Sequence, residues 1–506
     1  MGDVHCDLLS LQIPSNSDLG HIFPNVVVHI MFVLLEERLK VSNLNLRVSA
    51  FLKIVVVLAL SFLFGCGGGS NVSSSPQPAQ PGATSVQINL GDGPSDWIVS
   101  FTMNMSSMTL TNTSGGAVSV ASGSMEMEMR HLMGTMQALV MVNVPQGTYS
   151  MANINIISAS VTYIDPVTKQ PVQKTMPGMT KTINFNPSVT VGSTPMTMNF
   201  ELDLSQSVSA DPSGTMTFSP FFNVTTGSPG GGQGPQFGGL DHTIGTVAGI
   251  SGNSLTMSMM QSLSNITVMT NSSTQFENMS GMGSMSTGMM IEVDAVMQSD
   301  GSLMATRIDS VLSGMSGGLM AEGLVNSITG NPLTQLTIIA DNGAGSGMMS
   351  TVLGTALSVN ITSATSYSFD GGGVDLNNLP FMPAFNSSSI AKGQRVDPGS
   401  TGGMMGGGMM GGGAINASEV TLEQQGLSGM VANYAGGSPA SFILSLPADC
   451  AFTSITGAGT ITVYQQPDTR LRGMTSVSNG ASVQVRGLLF FDAGTYKLVA
   501  TTIMPH

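Results

Sequence analysis

Charged residues are scarce in this sequence, and positive ones above all. Lys and Arg number 15 against 29 Asp and Glu, and charged residues make up 9% of the 506-residue chain, well below the roughly 25% of an ordinary globular protein. Nucleic acid is bound through clustered Lys and Arg, so a net charge of −14 argues against that partner. Disorder driven by charge is excluded too, because 41% of the residues are hydrophobic.

Aromatic residues and helix formers are also few. The chain has 1 Trp and 6 Tyr, whereas Gly alone accounts for 63 residues and Met for 40. Lys, Glu, Arg and Gln, which favour helices, are outnumbered by Gly, Ser, Thr, Asn and Val. This composition favours an all-β protein of many short strands joined by Gly-rich turns.

An export signal occupies the early part of the chain. An apolar run at 54–64 follows four basic residues and precedes Gly65 and Cys66, the order of a secretory signal peptide. The basic residues are Arg38, Lys40, Arg47 and Lys53. The run is too short to span a bilayer, which takes about 20 residues. An uncleaved anchor helix is the alternative.

The segment Leu63-Phe64-Gly65-Cys66 resembles the bacterial lipobox. That resemblance implies that Cys66 is lipidated and becomes the mature N-terminus. We expect translation to begin near Met31, residues 1–65 to be a lead and signal peptide, and residues 66–84 to be a flexible Gly/Ser/Pro tether. The protein would then lie in the cell envelope, on an outer membrane or at the cell surface, with the membrane as a partner through its lipid.

No disulfide is expected to stabilise the exported part. With Cys66 acylated, Cys450 is the one cysteine left after the signal segment and has no partner within the chain. The β cores must therefore provide the stability by themselves.

A first β-domain is predicted at 85–226. Phe101, Met103 and Met105 alternate with polar residues, as in a half-buried strand. The domain opens with a strand and an acidic Gly-Pro turn, and a later strand follows Pro145-Gln146-Gly147-Thr148-Tyr149. These features resemble an uncharacterised β-sandwich domain of bacterial lipoproteins, although Gly93 before Pro94 departs from its turn. The resemblance implies a sandwich fold and carries no activity.

An internal repeat is predicted after a Gly-rich linker at 227–240. Its units are 241–313, 320–425 with a Gly/Met-rich insertion, and 426–506, each with about five strands and a Gly-x-x-(Ile/Val) strand near the fourth place. Unit one is similar over its whole length to an uncharacterised OB-like domain of secreted bacterial proteins. The predicted architecture is therefore one β-sandwich followed by three small OB-like β-barrels, tethered at Cys66.

Catalytic groupings are nearly absent from the sequence. Gly314-Met315-Ser316-Gly317-Gly318 has the form of a hydrolase elbow, but that elbow needs a preceding strand, a following helix and a His base. We therefore expect no enzyme. An enzymatic alternative would require a deep pocket that combines His131 or His242 with a serine and a carboxylate.

Two acidic turns and one tryptophan are weaker candidates for ligand binding. Asp92 and Asp96, and likewise the segment Asp370–Asn377 with Asp375, offer oxygen ligands for Ca²⁺. Asx-turn hydrogen bonds explain the same residues more simply. Trp97 would be a platform for stacking a sugar, but its favoured role is packing beside the first strand.

Methionine is the anomaly of this composition, and three clusters stand out. Met125, Met127 and Met129 alternate along a strand and are interpreted as core; His131 continues their parity, which gives a donor set suited to Cu(I). Met279, Met282 and Met285 have helical spacing, and we expect them to cap a barrel, with Cu(I) binding as the alternative.

The third cluster lies in the Gly-rich insertion of unit two. Met404, Met405, Met409 and Met410 are expected to be exposed there, because such a loop has no regular core to fill. A neutral insertion, a soft-metal site, an oxidant scavenger and an adaptable sticky surface all remain open.

The function predicted from these features is a non-enzymatic cell-envelope lipoprotein with a binding, adhesion or scaffolding role. Its partner would be an envelope protein or a polysaccharide, and no cofactor is expected. The alternative is a surface protein that binds Cu(I) or Ag(I), or scavenges oxidants, through its Met clusters.

Overall fold

Strands account for most of the residues that the structure describes, which confirms the predicted all-β class. The computed structural model describes residues 73–74, 82–93, 95–211, 214–230, 237–259, 265–310, 320–344, 353–370, 374–399 and 414–506. Helical turns within these ranges are short: α1 (Leu204–Ser207), α2 (Ala451–Thr456) and 3-10 turns at Arg130–Leu132 and Met282–Ser284. The expected lead, signal peptide and Cys66 lie outside the described residues.

The first eleven strands include those of a β-sandwich. They are β1 (Ser73–Ser74), β2 (Ala83–Gly93), β3 (Ile98–Asn112), β4 (Ala117–Glu128), β5 (Met136–Pro145), β6 (Gly147–Ile164), β7 (Pro171–Val191), β8 (Met196–Asp203), β9 (Val208–Ala210), β10 (Met216–Phe218) and β11 (Phe222–Gly227). One sheet has the order β4-β3-β6-β7, and the facing strands have the order β5-β2-β8-β11.

The sandwich core follows from strand alternation. Val86, Ile88 and Leu90 on β2 are buried together with Phe101 and Met103 on β3, since every second side chain of a strand points to the same face. At the entry of β6, the buried Tyr149 donates a hydrogen bond from its hydroxyl to the Pro145 carbonyl oxygen at 2.8 Å. That bond gives the Pro-x-Gly-x-Tyr pattern a structural role.

The remaining strands form three modules. Module 1 contains β12 (Phe237–Ser251), β13 (Ser254–Met259), β14 (Asn265–Met269), β15 (Gln275–Glu277), β16 (Met290–Met297) and β17 (Leu303–Ser310). Module 2 contains β18 (Met320–Thr329), β19 (Gln335–Ala344), β20 (Ala356–Asn360), β21 (Ser366–Phe369), β22 (Arg395–Asp397), β23 (Ile415–Asn416) and β24 (Glu419–Leu422). Module 3 contains β25 (Gln424–Ala435), β26 (Ala440–Ser445), β27 (Thr460–Leu471), β28 (Ser482–Asp492) and β29 (Thr495–Pro505).

The three modules share one order of strand pairing. Module 3 is a closed barrel with the order β25-β26-β27-β29-β28, in which β27 and β29 are parallel. In module 1, β12-β13-β14-β17-β16 pair in the same ring, with β14 and β17 parallel. Module 2 keeps this order, but two short strands take the place of the last strand: β23 pairs with β20, and β24 pairs with β22.

Strand β12 joins the sandwich to module 1, which differs from the predicted linker at 227–240. Phe237 and Gly239 pair in parallel with Met136 and Gln137 of β5, so the last four residues of the predicted linker lie in a strand. The backbone reaches the sandwich here because Gly238, at φ +75°, has no side chain: a Cβ would lie 2.8 Å from the Asn89 amide nitrogen. Two strands also lie within the predicted tether at 66–84: β1 at Ser73–Ser74, and the start of β2 at Ala83.

A glycine on the first strand of each module permits close strand pairing. A Cβ on Gly323 would lie 2.3 Å from the Ile339 carbonyl oxygen, and one on Gly429 would lie 2.4 Å from that of Ser445. The corresponding Gly245 would meet Ser258 O at 2.7 Å. The strands can therefore approach this closely only because these positions carry no side chain.

A buried threonine makes the same contact in each module. The hydroxyls of Thr274, Thr365 and Thr469 donate to the carbonyl oxygens of Ala305, Ala417 and Ala500 at 2.8, 2.8 and 2.7 Å, respectively. Each hydroxyl also accepts the backbone N–H three residues earlier. In each module these two hydrogen bonds hold a local turn against the last part of the chain in that module: β17, the segment that joins β23 and β24, and β29.

Candidate functional site

A β-bulge places a histidine between the modules. The pairing of β12 with β16 shifts register between Leu240 and Thr243, and His242 within this bulge has a φ of +45°. The backbone N–H of His242 donates to Asp294 Oδ1 at 2.6 Å, which holds the bulge in place. Bulges of this kind redirect a side chain out of the regular alternation of a strand.

Carboxylates approach both ring nitrogens of His242. On one side, Nδ1 lies 2.8 Å from Glu292 Oε1 and 3.9 Å from Glu322 Oε1. On the other side, Nε2 lies 2.8 Å from Asp370 Oδ2 and 3.6 Å from Glu423 Oε2. The imidazole therefore connects residues of modules 1 and 2 and the junction before module 3.

Three arginines, one from each module, pair with acidic residues near this histidine. Arg307 pairs with Glu292, with Asp294 (Nε–Oδ2 2.7 Å) and with Glu277 (3.2 Å). Arg395 pairs with Glu322 at 2.5 Å and with Asp341 at 3.1 Å.

The third arginine, Arg486 of module 3, reaches back to module 1. Its Nη2 lies 2.6 Å from Asp241 Oδ2, and its Nη1 lies 3.4 Å from the His131 carbonyl oxygen of the sandwich.

We call this group the central charge cluster. Its members are Asp241, His242, Glu292, Asp294, Arg307, Glu322, Asp341, Asp370, Arg395, Asp397, Glu423 and Arg486. Eight of them are carboxylic acids, and four are Arg or His. Because charged residues are rarely buried unless they are paired, a cluster of this size in a chain with so few charges is the main polar site in the part of the chain that the structure describes.

The pKa values of the groups in the cluster are shifted in different directions. Burial alone would lower the pKa of His242, but Asp294, Glu423 and Glu292 together raise it well above 6.5. Burial likewise opposes ionisation of Glu292, yet His242 and Arg307 lower its pKa to about 2. Burial, aided by Glu322 and Glu292, raises the pKa of Asp397 to about 8. These carboxylates therefore favour the protonated form of His242, in which both ring nitrogens can donate.

Three overlapping sets of side chains in the cluster have the geometry to hold a metal ion. They are Asp241–His242–Asp294, His242–Asp370–Glu423 and His242–Glu292–Glu322, and within each set the ligand atoms lie within 4.8 Å of one another. All three sets depend on His242. Nitrogen and carboxylate donors of this kind suit Zn²⁺ or Mn²⁺ rather than a soft ion.

A small cavity lies beside the cluster. Its volume is about 50 Å³, and its lining includes Arg130, His131, Asp341, Arg395, Cys450 and Arg486. A space of this volume has room for ordered water molecules. Burial, followed by the nearby Asp96, raises the pKa of the Cys450 thiol, so this cysteine stays protonated and is a weak nucleophile.

The first methionine cluster lies in the sandwich core. Met125, Met127 and Met129 are all buried there with the aliphatic residues of the facing sheet. The predicted strand does not continue to His131: β4 ends at Glu128, and His131 belongs to a 3-10 turn. The Glu128 carboxylate ends the strand, because its Oε1 accepts the Phe101 N–H and its Oε2 accepts the His131 N–H, both at 2.8 Å.

The second methionine cluster packs on module 1. Met285 is buried in the core of that module, and Met279 and Met282 lie partly buried against it. The helical spacing corresponds to a single 3-10 turn at Met282–Ser284 rather than to an α-helix. These side chains pack against the aliphatic core of module 1.

Other candidates from the sequence lie apart or outside the described residues. Trp97 packs partly buried against the sandwich core, edge-on to Tyr163 with ring centroids 6.0 Å apart. Cys66, Ser316 and the methionines 404, 405, 409 and 410 lie outside the described residues. The soft-metal alternative therefore rests on that last cluster and stays a prediction.

The acidic turns are arranged differently from the Ca²⁺ hypothesis. Asp92 is buried at the end of β2, and neither of its carboxylate oxygens has a hydrogen-bond partner among the described residues. Burial raises its pKa well above 3.8, despite the nearby Arg130. Asp375 Oδ1 accepts from the Asn377 backbone N–H at 2.9 Å, an Asx turn, whereas Asp370 joins the central charge cluster.

Sequence reasoning missed the central charge cluster almost entirely. It named His242 as a possible base and Asp370 as a possible Ca²⁺ ligand, in separate places. A signal was available: Glu292, Asp294, Glu322 and Arg307 interrupt apolar strands in a chain where charged residues are rare. Charges inside strands of this kind must meet partners if they are buried.

Comparison with known proteins identifies one segment. Residues 244–309 match a family described as "Domain of unknown function (DUF5666)". The match spans most of module 1 and includes Glu292, Asp294 and Arg307 of the cluster. No curated protein matches the chain.

Among the described residues, no helix is both long and apolar enough to cross a membrane.

Proposed function

We propose that this chain is a non-enzymatic lipoprotein of the cell envelope that presents a rigid platform for binding, adhesion or scaffolding. The observation that carries the proposal is the way the modules are joined. Strand β12 extends a sheet of the sandwich into module 1, and charged side chains from all three modules meet around His242. Such connections suit a fixed array rather than domains on flexible linkers.

In this proposal the three modules are copies of one OB-like barrel. The shared order of strand pairing supports this assignment, and each module has one parallel pair at the same place: β14 with β17, β20 with β23, and β27 with β29. So do the glycine on each first strand and the threonine that makes the same contact in each module. An OB-like barrel provides a surface that many different ligands can use, so the fold alone does not identify the partner.

The outer face of the sandwich supports a neutral partner such as a polysaccharide or an envelope protein. Thr180 Oγ1 donates to Asn155 Oδ1 at 3.1 Å, and Thr182 Oγ1 donates to Asn153 Oδ1 at 2.7 Å, in an exposed row across β6 and β7. Hydroxyl and amide groups in such a row offer hydrogen bonds without charge. This surface would not attract nucleic acid.

The lipid anchor is tested by fatty-acid labelling of the producing bacterium. The protein should incorporate the label and sediment with the membranes, Cys66→Ser should lose both properties, and the control Cys450→Ser should keep them. Label retained by Cys66→Ser, or wild-type protein found only in the soluble fraction, would overturn the anchor.

The platform is tested separately by calorimetry. Modules that share a sheet and a charge cluster should unfold in one transition, and a single heat-capacity peak is the expected result. Several independent peaks in the wild-type protein would mean that the modules are not rigidly joined.

A further inference from the structure

We propose that His242, Asp370 and Glu423 bind one divalent metal ion of the Zn²⁺ class. The three side chains come from β12, from the residue after β21 and from the junction between β24 and β25. Their ligand atoms lie within 4.8 Å of one another, with Nε2 2.8 Å from Asp370 Oδ2 and 3.6 Å from Glu423 Oε2. Ligands bonded to Zn²⁺ at about 2.0–2.2 Å lie roughly 3.0–3.5 Å apart, so small side-chain shifts complete the site.

The histidine is already oriented for this role. Its Nδ1 lies 2.8 Å from Glu292 Oε1, which directs Nε2 towards Asp370 and Glu423. A carboxylate that holds the far nitrogen of a ligating histidine is a recurrent feature of metal sites. When the ion binds, the proton on Nε2 is released to water, and the nitrogen lone pair coordinates the metal.

Glu423 approaches the same ring nitrogen from the interior of the molecule. Its side chain is only 4% exposed, and its Oε2 lies 3.6 Å from His242 Nε2, which is longer than a hydrogen bond. A metal ion bonded to both atoms would turn this loose ion pair into direct coordination.

The two competing sets of ligands are already engaged. Glu292 and Glu322 pair with Arg307 and Arg395. Asp241 and Asp294 pair with Arg486 and Arg307. A metal ion in either set would share its carboxylate ligands with a guanidinium group, and the like charges would repel each other. Arg307 also lies near His242, but its Nη2 is 3.2 Å from Nδ1, which is not the ring nitrogen that faces Asp370 and Glu423.

Access from solvent favours the same position. Asp370 has a side chain that is 30% exposed, so an ion can enter from solvent and keep a water ligand there.

The test is a Zn²⁺ titration of the full chain after its metal has been removed with a chelator. We expect one ion per chain and a higher Tm with Zn²⁺. Glu423→Gln and Asp370→Asn should each weaken binding by more than about 100-fold, beyond the usual effect of an outer residue. Glu419→Gln, an exposed glutamate on β24, is the matched control and should leave the affinity unchanged. A folded wild-type protein that does not bind Zn²⁺, or binding that survives both substitutions, would overturn the proposal.

X-ray absorption of the Zn²⁺-loaded wild-type protein gives a result that does not depend on whether the variants fold. Nitrogen and oxygen neighbours at about 2.0–2.2 Å are expected. A sulfur neighbour at about 2.3 Å would place the ion on a cysteine or methionine and contradict the assignment.

Discussion

Arg486 and Asp241, 245 residues apart in the sequence, join the last module to the start of the first. Nη2 of the arginine lies 2.6 Å from Oδ2 of the aspartate. The two ends of this pair are unequally buried, since the Arg486 side chain is 5% exposed and that of Asp241 is 34% exposed. This asymmetry predicts which partner is more costly to remove.

Asp241→Ala should destabilise the protein more than Arg486→Met. The first change leaves a buried guanidinium without its counter-charge, which costs about 3–5 kcal/mol. The second leaves a carboxylate that can reach water. Denaturant unfolding of both variants measures the difference.

The pair Lys497–Asp492 is the control for this comparison. Asp492 is 43% exposed, so Asp492→Ala should cost less than about 1 kcal/mol. Equal losses for Asp241→Ala and Arg486→Met would show that the burial of Arg486 does not decide the energetics.

Two glycines on β12 should respond differently to alanine. A Cβ on Gly245 would lie 2.5 Å from Met257 Cε and 2.7 Å from Ser258 O, whereas nothing lies within 4 Å of one on Gly249. Gly245→Ala should cost about 1–3 kcal/mol through overpacking. Gly249→Ala should be neutral or stabilise by up to about 1 kcal/mol. Thermal unfolding of the two variants side by side tests this, and a similar Tm for both would contradict the close approach at Gly245.

The fold class could be predicted because a strand produces a local alternation of apolar and polar residues in the sequence. Alternation at Phe101, Met103 and Met105 identifies a strand, and all three residues lie in the sandwich core. The strand at the end of the predicted linker was not predictable in this way, because Phe237 is followed by two glycines, which normally indicate a flexible segment. Its pairing with β5 depends on a surface elsewhere in the chain.

The central charge cluster could not be found from spacing. His242 and Asp370 are separated by 128 residues, and no local motif relates positions so distant. The bulge that turns His242 out of its strand comes from a change of pairing partner between β5 and β16. Only the topology brings these residues together.

The repeated threonine contact predicts equal sensitivity in the three modules. Thr274→Val, Thr365→Val and Thr469→Val keep the shape of the side chain but remove the hydroxyl that bonds a buried alanine carbonyl and a backbone N–H three residues earlier. Each should cost about 1–3 kcal/mol. The exposed Thr495, which donates to Asp492 O at 2.9 Å, is the matched control, and Thr495→Val should change stability little. A large loss in one module alone would argue against equivalent roles.

Asp397 should make the protein less stable as the pH rises. Burial, with Glu322 and Glu292 nearby, raises its pKa from 3.8 to about 8. Below pH 3.8 the carboxyl is protonated in both the folded and unfolded states and adds no pH dependence. Between pH 3.8 and about 8 only the unfolded state releases the proton, so folding becomes less favourable as the pH increases.

Asp397→Asn removes this titration. The variant should therefore gain stability relative to the parent as the pH rises from 4 to 8, with no further gain above that range, in Tm measurements across the series. Asp165 provides a control of opposite sign, because hydrogen bonds from Thr168 lower its pKa. Its stabilising effect is present above the usual pKa and disappears in acid, so Asp165→Asn should lose stability relative to the parent at neutral pH and recover it at low pH. A flat difference between Asp397→Asn and the parent would mean that Asp397 is ionised in the folded protein throughout.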